Sequence, residues 1–319
     1  MASFVLDFEK PILALEKKIA DMRAYSAEQQ VELTDEIKRL ETKLQKLMED
    51  TYSRLSRWQR VLLSRHPERP YTLDYIERVF TEFTELHGDR LFGDDPALVA
   101  GPAFLDGRPV MVMGQQKGRT TKEKIHRNFG MMNPEGYRKA IRLMKLAAKY
   151  GRPVVVLVDT PGAYPGLGAE ERGQGEAIAR NLFEMSHLPV PIVVAIIGEG
   201  ASGGALGIGM GDRILMMENA WYSVISPEGC AAILWKDAAK ANQAAEILRP
   251  SAPDLLELGV IDEIIREPLG GAHRDRDAAA ASLKTAVLKH LDDLSRVKPD
   301  DLMRQRLEKY GRMGFYRQA

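Results

Sequence analysis

Two unbroken apolar runs, Val154–Val158 and Ile192–Ile197, constrain this chain more than any other feature. A strand with one wet face alternates apolar and polar residues, so a run apolar at every position has both faces covered. Helical spacing occupies Pro134–Lys149 before the first run and Glu170–Met185 before the second. Alternating strands and helices predict parallel strands joined by right-handed crossovers, hence an α/β fold. Val110–Met113 and Ile214–Met217 add two strands, and Ala201–Gly209 a short helix. The chain from Ala278 onward reads as helix. Between Phe104 and Pro109, Asp106-Gly107 marks a two-residue hairpin.

Residues 4–65 follow another rhythm. Ile12, Leu15, Ile19 and Met22 recur at spacings of three and four, as do Leu33, Ile37, Leu40, Leu44 and Leu47. That predicts two helices with a narrow apolar stripe at heptad spacing, a hairpin or coiled coil. The stripe packs either on a partner subunit or on the rest of this chain. Pro67 and Pro70 punctuate the chain, Tyr71-Thr72-Leu73-Asp74 opens another helix, and a Gly/Asp-rich loop follows at 88–96. The expected organisation is a helical arm at 1–65, an α/β domain at 66–296 and a helical tail at 297–319.

Two strands end in loops of special composition. Asp159-Thr160-Pro161-Gly162-Ala163-Tyr164-Pro165-Gly166 follows the first, and Gly198-Glu199-Gly200-Ala201-Ser202-Gly203-Gly204-Ala205 ends the second. In open α/β sheets ligands bind at the carboxyl ends of strands. Helix N-termini there carry unpaired N–H groups that attract anions and developing oxyanions, and glycine admits a ligand atom to the backbone.

Gly198, Gly200 and Gly203 also fit the dinucleotide fingerprint G-x-G-x-x-G, with Glu218 twenty residues after Gly198. Against it, the following helix holds Gly203, Gly204, Gly207, Gly209 and Gly211. Each glycine costs a helix about 1 kcal/mol relative to alanine, which only close backbone packing or a ligand justifies. No Lys-Ser or Lys-Thr follows, so this is no P-loop. The pattern alone leaves an anion site, dinucleotide binding and a structural turn open.

Other chemistry is thinner. Ser202 stands between glycines like a nucleophile elbow, but only His273 and His290 follow it, one in a polar loop and one in the terminal helix. No histidine pairs with a glutamate in a metal motif. Lys117, Arg119, Lys122, Lys124 and Arg127 form a basic segment after Val110–Met113, either a phosphate-binding loop or a solvated one.

Composition narrows the setting. Forty-five basic residues balance forty-five acidic ones, which gives no reason to expect nucleic acid as a partner. The single cysteine, Cys230, can form no internal disulfide and supplies no thiolate zinc site. The apolar runs are far too short for a bilayer, and the N-terminus lacks a signal-peptide pattern. The cytoplasm is the expected compartment, with no membrane association.

A longer set of residues carries a resemblance. Arg-Pro-Tyr-Thr-Leu-Asp-Tyr (69–75), Gly-Asp-Arg (88–90), Asp-Gly-Arg-Pro-Val (106–110), Gln-Lys-Gly-Arg-x-Thr-Lys-Glu-Lys (116–124), Arg-Asn-Phe-Gly-Met (127–131) and Pro-Glu-Gly-Tyr-Arg-Lys-Ala (134–140) stand in order. Asp-Thr-Pro-Gly-Ala-Tyr-Pro-Gly (159–166), Ala-Glu-Glu-Arg-Gly-Gln (169–174), Ser-Val-Ile-Ser-Pro-Glu-Gly-Cys (223–230) and Glu-Pro-Leu-Gly-Gly-Ala-His (267–273) continue the series. Together they resemble the alpha-subunit family of the acetyl-CoA carboxylase carboxyltransferase over nearly the whole chain. The first 60 residues resemble it mainly in helical character.

The resemblance implies a crotonase-type (ClpP/crotonase) ββα superhelix with an N-terminal helical arm and C-terminal helices, in place of a dinucleotide fold. It implies carboxyl transfer from carboxybiotin, on the biotin carboxyl carrier protein, to acetyl-CoA, giving malonyl-CoA for fatty acid biosynthesis. Biotin carboxylase would recharge the carrier. The partner would be a beta subunit in an alpha2-beta2 assembly, which alone carries zinc. By motif match, Gly203 and Gly204 would donate N–H groups to the biotin oxygen, with Ala205 opening the helix. Gly162 and Ala163 would form the facing wall, and Lys117, Arg119 and Lys122 would meet the CoA phosphates. Deprotonated biotin would serve as the base. The alternative is a stand-alone crotonase-type acyl-CoA hydratase or hydrolase, with Glu199 or Glu228 as its carboxylate.

Overall fold

The computed structural model describes residues 4–314; the first three residues of the expected arm and the last five of the expected tail lie outside the described residues. In chain order the elements are α1 (Lys10–Gln29), α2 (Thr34–Ser53), α3 (Arg57–Ser64), α4 (Thr72–Val79), β1 (Leu98–Leu105), β2 (Arg108–Gln115), α5 (Thr121–His126) and α6 (Pro134–Lys149). Then come β3 (Val154–Thr160), α7 (Leu167–Glu171), α8 (Gln174–Ser186), β4 (Ile192–Ala201), α9 (Ser202–Leu206), β5 (Arg213–Met217) and β6 (Trp221–Ser223). The chain closes with α10 (Pro227–Trp235), α11 (Ala241–Leu248), α12 (Ala252–Glu257), β7 (Glu263–Ile265), α13 (Arg276–Leu294) and α14 (Pro299–Gly311).

The sheet runs β1-β2-β3-β4-β5-β7, with β6 paired to β4. β1 and β2 form the antiparallel hairpin, closing at Leu105↔Arg108. Asp106 and Gly107 both take positive φ (53° and 78°), the backbone that a two-residue hairpin turn demands. Every other pairing is parallel. All seven residues of β3 and all ten of β4 are buried, as the unbroken apolar runs require. Helices α6 and α8 pack together, as do α4 and α13, and α4, α6 and α13 also pack on the strands. Burying each Val, Ile or Leu side chain of such strands contributes about 1.5–3 kcal/mol, so the central pair anchors the core.

The strand order rises steadily with chain order. A dinucleotide fold needs the order to reverse at a switch point, and this sheet has none. The helix expected over Glu170–Met185 divides into α7 and α8, because Gly173 between them takes a left-handed φ of 81°. No helix among the described residues is long and apolar enough to cross a membrane.

The arm is a helical hairpin of α1 and α2, with Ile12, Ile19 and Leu40 buried along its seam. Its base packs on α3 through Leu6, Ile12, Tyr52, Leu55 and Leu63, and α3 in turn packs on the strands through Val61, against Ala201 and Trp221. Arg57 of α3 forks onto Asp254 (2.8 and 2.6 Å), and Arg274 meets Glu16 at 2.6 Å. Nearer the tip, Tyr25 and Val31 are exposed. At the other end of the chain, the buried Arg306 of α14 grips both oxygens of Asp212 (2.8 Å each) and the carbonyls of Met185, Leu188 and Val190.

Glu9, His66 and His273 fasten the arm base, with Tyr52 beside them. Glu9 accepts from Tyr52 Oη at 2.5 Å and lies 3.4 Å from His273 Nε2, while the His66 and His273 rings stack at 4.0 Å. This trio is the one cluster of metal-ligand type among the described residues. His66 Nδ1, however, accepts the Glu68 N–H at 3.1 Å, which puts the ring proton on Nε2 and leaves no free lone pair for an ion. Burial and then His273 hold His66 down at about 4, from 6.5. Burial pushes Glu9 up, but the hydrogen bonds from His273 and Tyr52 outweigh it and hold the carboxyl at about 2, from 4.5.

Both groups therefore bind fewer protons folded than unfolded. Their stabilisation is present above pH 6.5 for His66 and above 4.5 for Glu9, and is lost as pH falls through that range. We predict that acidification from pH 6.5 to 4 loosens the arm base by up to roughly 3 kcal/mol from His66 alone. Hydrogen exchange of Leu6–Ile12, corrected for intrinsic rates, checks this. Faster exchange in that window is expected in the wild type and not in His66→Phe; equal pH dependence in both would contradict it.

Candidate active site

The two glycine loops leave β3 and β4, adjacent parallel strands with Thr160 in register with Gly200. They therefore end on one edge, side by side. The contact between them is backbone on backbone. A Cβ added to Gly204 would lie 2.2 Å from the carbonyl carbon of Gly162 and 2.5 Å from the nitrogen of Ala163. Only glycine allows that approach. Gly207 faces the Tyr137 ring in the same way, at 2.6 Å. Close packing thus explains at least these two of the glycines that a helix would otherwise resist.

β4 turns into α9 at Ser202, a non-glycine residue at φ 56°. A left-handed conformation there costs about 1–2 kcal/mol and bends the chain sharply from strand to helix. Gly203 and Gly204 follow as the second and third residues of α9. N–H groups at those positions have no partner inside a helix. The residue before the helix, Ala201, has no side chain able to cap them. Two neighbouring donors thus have neither an intrahelical bond nor a side-chain cap to satisfy them. The facing loop differs: Thr160 Oγ1 accepts the Gly162 N–H at 3.1 Å and donates to the Gly162 carbonyl at 2.7 Å. Gly162 and Ala163 shape the wall, and the N–H of Gly162 is already used.

Polar side chains inside the sheet hold the arrangement. Gln115, fully buried at the end of β2, donates to the Gly204 carbonyl (3.0 Å) and accepts the Asp159 N–H (3.1 Å). Asn181 of α8 donates to the Gly207 carbonyl at 3.0 Å. Lys117 Nζ sits between Asp159 Oδ1 and Glu199 Oε2, 2.7 Å from each. Arg65, just past α3, reaches Glu199 at 2.6 Å and Glu228 at 2.5 Å and lies over the Trp221 ring. Burial pushes Glu199 up, but Lys117 and Arg65 outweigh it and hold the carboxyl at about 2. Burial opposes the charge on Lys117, but Asp159 and Glu199 prevail and raise its pKa. Burial raises Asp159, with Lys117 pulling it back.

The basic segment divides accordingly. Lys117 points inward, onto two carboxylates. Arg119 donates to the Pro67 carbonyl (2.6 Å) and Asp74 (2.5 Å) and stacks over Tyr71. Lys122 is exposed on α5. The elbow partners of Ser202 lie elsewhere: His273 belongs to the arm base, and His290 bonds Glu263 at 2.9 Å. Glu218 pairs with Arg266 at 2.8 Å. Gln115, Asn181 and Arg65 are the positioning groups that motif reading passes over. Gln115 and Asp159 do carry a signal, as polar residues at the ends of otherwise apolar strands.

Solved structures share this architecture. The transcarboxylase 12S core with methylmalonyl-coenzyme A superposes with a TM-score of 0.54 at 20% identity, over 77% of this chain and 42% of that one. A Pseudomonas malonate decarboxylase hetero-tetramer in complex with coenzyme A gives 0.56 at 18%, over 68% and 86%. At those identities the likeness is one of fold, and the fold is crotonase-type. Closer kinship comes from sequence. The family model described as "Acetyl co-enzyme A carboxylase carboxyltransferase-like" matches residues 5–314, and the chain belongs to that family. The acetyl-coenzyme A carboxylase carboxyl transferase subunit alpha of Geobacter metallireducens is 59% identical over 98% of both chains. That of Methylococcus capsulatus is 57% identical over 98% of this chain and 97% of its own.

The two glycines differ in what a methyl group would meet. At Gly204 it collides with backbone, and at Gly203 it meets only Ile178 Cδ1 at 3.4 Å. Gly204→Ala is expected to destabilise by about 1–3 kcal/mol, and Gly203→Ala to change stability by no more than about 1 kcal/mol. Urea denaturation of the two variants checks this, and equal effects would contradict the packing argument.

Proposed function

We propose that this chain is the alpha subunit of the carboxyltransferase component of an acetyl-CoA carboxylase. It transfers a carboxyl group from carboxybiotin on the biotin carboxyl carrier protein to acetyl-CoA, giving malonyl-CoA for fatty acid biosynthesis. Relatives at 57–59% identity over nearly their full length carry the subunit name. The observation that carries the site assignment is the uncapped first turn of α9, where Gly203 and Gly204 follow an Ala201 that cannot bond their N–H groups.

When bound, carboxybiotin would supply the carboxyl group, leaving negative charge on the ureido oxygen, and the deprotonated biotin would take up the proton that acetyl-CoA gives. Gly203 and Gly204 donate their N–H groups to this oxygen, and Ala205 continues the turn that aims them. Donors fixed before the reaction stabilise developing charge without reorganising, and losing one costs about 2.7–4 kcal/mol. Gly162 and Ala163 form the facing wall. Lys122 is the exposed basic side chain left for the CoA phosphates, since Lys117 and Arg119 are committed to carboxylates and main-chain carbonyls. The donors for the acetyl-CoA oxygen come from a zinc-bearing beta subunit in an alpha2-beta2 assembly. Biotin carboxylase recharges the carrier, in the cytoplasm.

A stand-alone crotonase-type hydratase or hydrolase needs a carboxylate free to exchange protons near neutral pH. Glu199 is locked between Lys117 and Arg65 and held at about 2, and Glu228 is tied to Arg65. Both candidates are engaged by cations, which favours carboxyl transfer.

The chain alone is expected to make no malonyl-CoA and to hydrate no simple enoyl-CoA, and to transfer carboxyl groups once mixed with its beta subunit. Gly203→Pro removes one N–H in the first turn of α9, a donor that no intrahelical bond uses. It should lower kcat of the assembled enzyme by about 10²–10³, while Gly203→Ala, which keeps the N–H, stays within a few-fold. Equal turnover in the two variants, with assembly intact by gel filtration, would refute the donor role.

A further inference from the structure

Lys117, Asp159 and Glu199 come from the ends of three neighbouring strands. Lys117 lies two residues past β2, Asp159 is the penultimate residue of β3, and Glu199 stands three residues before Ser202. The three converge at Lys117 Nζ. Asp159 Oδ1 also accepts the Glu199 N–H at 2.9 Å, so one carboxylate oxygen ties the backbone of β4 to that of β3. Gly198 makes room for it: a Cβ there would sit 2.5 Å from Asp159 Oδ1. From above, the Gly130 turn closes on Lys117 Cγ and the Asp159 carbonyl, at 3.0 and 3.1 Å from a would-be Cβ. Asp159 leads within three residues to Gly162, and Glu199 leads within five to Gly204.

Two carboxylates this close cannot both stay ionised without a cation between them. We infer that Lys117 is a positioning residue: by neutralising Asp159 and Glu199 together, it fixes the two strand ends and so the meeting of Gly204 with Gly162 and Ala163. The inference rests on the carboxyltransferase reading and assigns Lys117 a role distinct from phosphate binding. Arg65 extends the clamp to the arm, since it holds the second oxygen of Glu199. Arg69, Tyr71 and Tyr75, from α4 and the residues just before it, are further charged or titratable groups that couple to Asp159.

The test uses the assembled enzyme, in which the wild type must first make malonyl-CoA; failure there would sink the functional reading and not this inference. Lys117→Met leaves Asp159 and Glu199 facing each other without a cation. Its kcat at pH 8 is expected to fall at least about tenfold, a misplacement effect, with KM for acetyl-CoA within about twofold of the wild type. Activity should rise as pH is lowered, because burial and the facing Glu199 carboxylate favour protonation of Asp159 once the ammonium is gone. Lys117→Met/Asp159→Asn, in which the amide oxygen can still accept the Glu199 N–H, should recover most of kcat and lose the new pH dependence.

Where the single variant fails to assemble and the double variant assembles and turns over, the charge account is supported in the same way. Glu199→Gln is the milder probe, expected to lower kcat at unchanged KM. A raised KM for acetyl-CoA at unchanged kcat in Lys117→Met would assign the lysine to the substrate and overturn the inference. So would a double variant that folds but is no more active than the single one, or an unchanged kcat in Glu199→Gln.

Discussion

Gly204 lies against the peptide that joins Gly162 to Ala163, with no room between them for a single methyl group. That contact decides the geometry of everything around it. It requires β3 and β4 to be adjacent and parallel, so that their loops leave from one edge. It requires the left-handed step at Ser202, which turns β4 abruptly into α9. It also leaves the N–H groups of Gly203 and Gly204 at the start of a helix with no cap behind them. The orphan donors are a product of the packing, and the packing is set by residues that carry no side chain at all.

A site built from backbone must be held by what lies beneath it. Here the supports are polar groups buried in an apolar sheet: Gln115 bridging two loops, Asn181 on the Gly207 carbonyl, and the cluster of Lys117, Asp159, Glu199 and Arg65. Buried charges are tolerable only when paired and hydrogen-bonded, and each of these has its partner. The same pairing denies the site a free acid or base. Chemistry that needs only fixed N–H donors, with the proton carried by the substrates themselves, suits such a place. The arm joins this network through Arg65, so its base is part of the frame around the site.

Much of the fold was legible because it follows from local rules. The unbroken runs at Val154 and Ile192 became the two central strands, buried along their whole length. Asp106-Gly107 became the hairpin turn, and the heptad stripe became a helical hairpin whose base is tied to His273 and Arg274 of this chain. The break at Gly173 and the short β6 depend on tertiary packing that no window of sequence contains. At the site, Gly203 and Gly204 stood out by composition, but their surroundings left a dinucleotide site open until the strand order was known. The charge cluster was the least legible part. Lys117, Asp159 and Glu199 are 42 and 40 residues apart in sequence, and only parallel register brings them together. The phosphate role that Lys117 suggested rested on local charge, which cannot reveal that its ammonium points inward.

The central claim is that the paired N–H groups of Gly203 and Gly204 receive the biotin oxygen. The most direct measurement is a structure of the assembled carboxyltransferase with biotin bound. The ureido oxygen is predicted to lie about 2.7–3.1 Å from both glycine nitrogens, between α9 and the Gly162–Ala163 wall. Biotin seated with that oxygen on any other donors, and with both glycine N–H groups facing solvent, would contradict the account.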